Sequence, residues 1–136
     1  MKSYAILVTG ARDWSNREII MQTLKRFATC DDVVFIHGNC VGLDQAAAQV
    51  AQELQFTIES YPAMWATYGR AAGPVRNKQM VDRLLEYQKL GRNIVAFAFH
   101  NNLQESKGTK QCVSLLQREG IDYTLVTESN VAQSST

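Results

Sequence analysis

The chain has 136 residues, 46% of them apolar, and its 14 basic and 13 acidic side chains leave a formal net charge of +1. That length suits a single domain with its own core, and so even a charge balance excludes the long basic stripe typical of duplex-binding proteins. Cys30, Cys40 and Cys112 are odd in number and share no C-x-x-C spacing, which speaks against a disulfide framework or a structural zinc site.

Met1-Lys2-Ser3-Tyr4 runs directly into Tyr4-Ala5-Ile6-Leu7-Val8-Thr9, a nearly continuous apolar run ended by Gly10. Such a run is expected of a central parallel strand covered on both faces. No signal-peptide core and no apolar run near the ~20 residues of a membrane span is present, so a soluble protein of the reducing cytoplasm is expected. Ser15-Asn16-Arg17-Glu18 has capping-box spacing, and Ile20, Leu24 and Phe27 continue at helical period, predicting a helix of about four turns. A second strand is expected over Val33–Ile36, followed by a helix to about Gln55 in which Leu43, Ala46, Ala47, Val50, Ala51 and Leu54 share one face. Phe56 to Tyr61 alternates as a third strand, stopped by Pro62. From Ala63 to Val75 no period is visible, and a long functional loop is expected there. Arg76 opens the next helix, with Met80, Val81, Leu84 and Leu85 inward and Gly91 as its stop. Asn93–Phe99 is the fourth strand, His100 to Lys107 a polar loop, Gly108-Thr109 the start of a last helix ending at Gly120, and Tyr123–Val126 the fifth strand. Alternation of this kind predicts an α/β Rossmann-like three-layer sandwich with a five-stranded parallel sheet, order 3-2-1-4-5, and helices on both faces. One domain over 1–128 is expected, with 129–136 as a flexible tail.

In such a sheet ligands bind beyond the carboxyl ends of the strands, where strand order reverses. The loops after strands one, two and four converge there: Thr9-Gly10-Ala11-Arg12-Asp13, His37 to Asp44, and His100 to Thr109. The stretch Ile36 to Asp44 reads as strand, glycine loop and helix start, where backbone amides without intrahelical partners favour anions. Arg12 supplies a bidentate donor and Thr109 a hydroxyl at a helix start, while Arg70 and Arg76 are within reach of the same edge. Asp44 complements the helix dipole or hydrogen-bonds a ribose or a loop amide. Trp65 and Tyr68 stack on a base or anchor their own loop. His37 and His100 end strands at this edge without metal-ligand companions, so no metal is expected.

Val8-Thr9-Gly10-Ala11-Arg12-Asp13-Trp14, His37-Gly38-Asn39-Cys40-Val41-Gly42-Leu43-Asp44, Pro62-Ala63-Met64-Trp65, Ala72-Gly73-Pro74-Val75-Arg76-Asn77 and Gly108-Thr109 together resemble the SLOG superfamily. The similarity is to its YspA-like branch and runs from about Tyr4 to Val126. It implies a site for nucleotides or nucleotide derivatives. The superfamily includes the LOG phosphoribohydrolases and the DNA-processing protein DprA. By this resemblance Gly38 to Gly42 is a phosphate-side loop, Gly108-Thr109 belongs to a second glycine motif, and Arg76 with Met80 matches an arginine that is catalytic in LOG enzymes. The proline and paired glycines expected before Gly108 are replaced by Gln104-Glu105-Ser106-Lys107, and Cys112 stands where LOG enzymes carry their catalytic glutamate. A thiol does not assume carboxylate duty at an oxocarbenium-like centre, which disfavours hydrolysis unless Glu105 or Asp44 supplies a carboxylate from another position. The expected function is therefore binding of a nucleotide or nucleotide-derived signal, with LOG-like N-glycosidic hydrolysis and single-stranded DNA binding as alternatives. The expected ligand-binding set is Gly10, Arg12, Asp13, Gly38, Asn39, Gly42, Asp44, Trp65, Arg70, Gly73, Arg76, Asn77, Gly108 and Thr109. Arg76 is its phosphate anchor and weak catalytic candidate, unless it pairs with Asp44 or Asp13. No cofactor is expected. A homodimer is expected, because Met80, Leu84, Leu85 and Tyr87 offer more apolar surface than one helix face needs.

Overall fold

The computed structural model describes residues 2–129. The expected tail at 129–136 lies outside the described residues apart from Ser129. At the centre is β1 (Ser3–Gly10), whose Ala5, Ile6, Leu7 and Val8 are completely buried, as its continuous apolar run requires. On one side it pairs in parallel with β2 (Asp32–His37), which pairs with β3 (Thr57–Ser60). On the other it pairs with β4 (Asn93–Phe99), which pairs with β5 (Thr124–Val126). The sheet is five-stranded, all parallel, in the order β3-β2-β1-β4-β5.

Alternation along each strand sorts the side chains into two cores. Ile6 and Val8 of β1, Phe35 of β2 and Phe97 and Phe99 of β4 meet α1 (Arg17–Leu24) and α2 (Leu43–Glu53) through Ile20, Leu24, Ala47 and Val50. Ala5, Leu7, Ile36 and Ala96 face the opposite way, onto Met80, Leu84 and Tyr87 of α4 (Ala72–Lys89) and Cys112 and Leu116 of α5 (Gly108–Arg118). Between β3 and α4 stands a single turn, α3 (Trp65–Tyr68), continued by a 3-10 turn at Gly69–Ala71.

Four local expectations change. The cap of α1 is Asn16 rather than Ser15: Asn16 Oδ1 accepts from the Ile19 amide at 3.2 Å, the reach an N-cap side chain has to the third helical residue. The expected four turns become two turns of α1 closed by a 3-10 segment, Lys25–Thr29. The stretch 63–75 is largely helical, because Pro74 occupies the third position of α4, where a backbone N–H has no helical partner to lose. Finally, Met80, Leu84 and Tyr87 are spent on this chain's own core, since α4 is covered by the sheet and by α5 at once. They therefore offer no dimer surface. The large apolar side chains left exposed lie elsewhere: Val41, Ile58, Met64, Trp65, Tyr68 and Leu90.

Candidate functional site

At the carboxyl edge of the sheet the backbone turns are tied to one another before any side chain is considered. The Ala11 amide donates to the Phe99 carbonyl at 2.9 Å and the Ala11 carbonyl accepts from the Leu43 amide at 3.0 Å, so the β1–α1 turn bridges the end of β4 and the start of α2. That closeness is why residue 42 is glycine. Gly42 has φ +82°, and a Cβ there would collide with the backbone of Arg12.

The loop after β2 is held from within. The amides of Gly38 and Cys40 donate to Asp44 Oδ2 at 2.9 and 3.4 Å, and the Asn39 amide donates to His37 Nδ1 at 3.0 Å. Three amides that sequence assigns to a phosphate are thus engaged inside the loop. Asn39 also adopts a positive φ of 57°. Arg76 seals the loop from above: Nη1 donates to the Gly38 carbonyl at 2.6 Å and to Cys40 Sγ at 3.2 Å, and Nε donates to Asn77 Oδ1 at 2.8 Å. A Cβ on residue 38 would stand 2.5 Å from Arg76 Nη1, so this glycine makes room for a guanidinium. Asn77 Nδ2 in turn donates to Gln111 Oε1 at 2.8 Å and to the Gly108 carbonyl at 3.3 Å, linking α4 to the start of α5. There Ser106 Oγ accepts from the amides of Thr109 and Lys110 at 3.0 and 3.4 Å, serving as a side-chain cap.

Above these ties opens a cleft of about 690 Å³, within the range of small-molecule sites. Its walls are Thr9, Gly10, Ala11, Arg12 and Asp13 from the β1–α1 turn, Cys40 and Asp44 from the β2–α2 segment, Arg76 from α4, and His100, Asn102 and Glu105 to Thr109 from the β4–α5 segment. Of the expected set, Gly10, Arg12, Asp13, Asp44, Arg76, Gly108 and Thr109 come together on this cleft. Gly38, Asn39, Gly42 and Asn77 lie behind its wall as supports. Trp65, Arg70 and Gly73 do not line it: Trp65 and Arg70 are exposed on the α3 turns, with Gly73 beside the Trp65 ring. The expected set omits the lining residues Thr9, Ala11, Cys40, His100, Asn102 and Glu105 to Lys107. They lie at or after the carboxyl ends of β1, β2 and β4, the edge to which the strand order alone points.

Two groups in the site are electrically unusual. Asp44 is 5% exposed, and burial pushes its carboxyl up to about 6, against the amides of Cys40 and Gly38 and the charge of Arg76, which pull it down. Cys112 is fully buried and burial pushes its thiol up to about 12, a hydrogen bond with Thr9 opposing only in part. It does not line the cleft and is no acid–base group at neutral pH. Arg76 is not ion-paired with Asp44 or Asp13 within 4.0 Å, so the alternative role of pairing with either is replaced by the bond to the Gly38 carbonyl. His100 Nδ1 accepts from the Asn102 amide at 2.9 Å, which leaves Nε2 as the proton-bearing nitrogen of the neutral ring. Among the described residues no group of three or more His, Cys, Asp or Glu side chains is arranged to hold a metal ion, and no helix is long and apolar enough to cross a membrane.

A family model described as the YspA, cpYpsA-related SLOG family matches residues 4–68, which hold β1, β2, the glycine loop and α3. The Gene 61 protein of Mycobacterium phage D29 is 30% identical over 123 residues, covering 85% of this chain and 90% of that protein. The DNA processing protein A (DprA) structure from Streptococcus pneumoniae aligns over 96% of this chain with a TM-score of 0.49 and 16% identity. This chain spans only 60% of the DprA chain.

Proposed function

Since the chain belongs to the YspA, cpYpsA-related SLOG family, we propose that its cleft binds a nucleotide or nucleotide-derived signal, as a sensor or sequestering protein. In this reading residues 1–128 form one nucleotide-binding domain. The observation that carries it is the state of Arg76. Its Nε and Nη1 are spent on Asn77, Gly38 and Cys40, while Nη2 has no partner among the described residues; because no buried side-chain nitrogen or oxygen there lacks one, Nη2 is not fully buried, and it belongs to a side chain that lines the cleft. A guanidinium already fixed on two sides loses little further freedom when it meets a phosphate. Arg12 and Lys107 stand on the cleft walls as further cations. A helix N-terminus alone holds an anion by about 0.3–1 kcal/mol, so micromolar affinity requires such added charged donors.

Binding without hydrolysis is favoured over the phosphoribohydrolase reading by Cys112, a buried neutral thiol outside the cleft where the LOG pattern has glutamate. Homodimerisation, in this reading, uses the exposed Met64, Trp65 and Tyr68 rather than α4. The test is a thermal-shift panel of nucleoside mono-, di- and cyclic phosphates, with chromatography of each incubation for released base. A phosphorylated ligand that raises the melting temperature and is recovered intact supports the proposal. Release of free base transfers the reading to the hydrolase, and a panel without any response overturns it.

A further inference from the structure

Asp44 and Arg76 are oppositely charged, 5% and 8% exposed, and both line the cleft, yet no ion pair within 4.0 Å joins them. Each is half used. Asp44 Oδ2 holds the amides of Gly38 and Cys40 while Oδ1 has no hydrogen-bond partner, and Arg76 keeps Nη2 free in the same way. With no buried side-chain oxygen or nitrogen left unpaired among the described residues, neither free atom is fully buried, and both belong to side chains that line the cleft. A single oxygen accepting two ordinary hydrogen bonds holds its donors about 4.5–5 Å apart, beyond the 4.0 Å within which no ion pair joins the two residues. An ionised Asp44 offers only acceptors, as do the oxygens of an anion; a protonated Asp44 has an O–H to give.

We propose that Asp44 and Arg76 form a proton-coupled oxyanion subsite, in which the protonated carboxyl and the free guanidinium nitrogen both donate to one oxygen of a phosphate or similar tetrahedral anion. The proposal rests on the reading that the cleft takes a phosphorylated ligand. Its chemistry is the binding of an anion together with a proton: the proton goes to Asp44 Oδ1, and no covalent bond in the ligand changes. The charged and titratable groups around Asp44 are Arg76 from α4, Cys112 from α5 and Cys40 from its own loop, with His37 at the end of β2. Elsewhere on the cleft stand Arg12 and Asp13 from the β1–α1 turn and His100, Glu105 and Lys107 from the β4–α5 segment. Cys112 stays neutral throughout, its thiol being pushed up to about 12, and burial sets Asp44 near 6 before any ligand arrives. An anion that requires the protonated carboxyl then weakens about tenfold for each pH unit above that midpoint.

Sulfate is the probe, because it mimics phosphate and does not itself titrate between about pH 5 and pH 8. Its affinity for the full chain is measured by calorimetry across that range, for wild type and for Asp44→Asn. Asparagine keeps an oxygen for the Gly38 and Cys40 amides and turns an N–H donor to the cleft, so the variant mimics the protonated acid. The expected result is wild-type affinity falling at least tenfold across the range, with Asp44→Asn binding as tightly at high pH as at low. An equal slope in the variant assigns the titration to another group and overturns the proposal. Loss of sulfate binding in a folded Asp44→Asn shows that the carboxylate is needed as an acceptor, and also overturns it. If the variant does not fold, proton uptake by wild type decides: heats in two buffers of different ionisation enthalpy yield close to one proton per sulfate at pH 7, or none. Sulfate binding to neither protein at any pH refutes the anion site itself, a failure distinct from binding that ignores pH.

Discussion

Arg76 Nη1 donates to the carbonyl of Gly38 at 2.6 Å across 38 residues of sequence, so the guanidinium proposed to meet a ligand also holds the glycine loop in place. Replacing it by alanine strands the Gly38 carbonyl and Asn77 Oδ1 and leaves a hole beside Cys40. Arg76→Ala is expected to cost about 2–4 kcal/mol, visible as a drop of several degrees in the ligand-free melting temperature. An unchanged melting temperature contradicts the structural half of the role.

Binding is better tested at Arg12, which lines the cleft yet is exposed and whose side chain makes no hydrogen bond or ion pair among the described residues. Arg12→Ala is expected to leave apo stability within about 0.5 kcal/mol while reducing nucleotide-dependent thermal stabilisation. Full retention of the ligand response in this variant removes Arg12 from the site.

Gly42 and Gly120 both have a positive φ, +82° and +72°. Alanine at 120 meets open space and pays only for its backbone, about 1 kcal/mol. Alanine at 42 pays this and also strikes the Arg12 backbone, so a loss of about 3 kcal/mol or more is expected in denaturant unfolding. Equal losses at the two sites contradict the close approach of the β1–α1 turn to α2.

The cap of α1 separates two readings of one tetrapeptide. Asn16→Ala removes the Oδ1 bond to the Ile19 amide and is expected to cost about 1 kcal/mol, while Ser15→Ala is expected to be nearly neutral. The reverse order in urea melts restores the Ser15–Glu18 capping box.

Asp44 makes stability depend on pH in the opposite sense from a salt-bridged carboxylate. Its folded value, about 6, lies above the ordinary value of 3.8, so the folded chain binds more protons than the unfolded one between them. That contribution is complete below about pH 4 and is lost as pH rises through 6, by about 3 kcal/mol at most. Asp44→Asn is therefore expected to gain stability relative to wild type as pH rises from 4 to 7. A difference that stays constant with pH shows that burial does not perturb this carboxyl.

What the sequence by itself determined is what local patterns encode. Ala5–Val8 and Ile94–Phe99 are apolar throughout because both faces of a central parallel strand are covered. Leu43, Ala47, Val50 and Ala51 recur at helical spacing because one face of α2 meets the sheet. Strand order follows from how such units connect, and the order brings the ends of β1 and β4 to one edge, where Arg12, Asp44, Arg76 and Thr109 meet. Tertiary structure alone decided what those groups are free to do. The sequence left Asp44 open between the helix dipole, a ribose and a loop amide, and only the folded loop assigns it the Gly38 and Cys40 amides; that Arg76 reaches back to Gly38 depends on α4 and that loop meeting in space. For the same reason Met80, Leu84 and Tyr87 read as surplus surface along the chain yet are buried in the fold. A helix wedged between a sheet and a neighbour has more than one covered side, and one-dimensional periodicity cannot count neighbours.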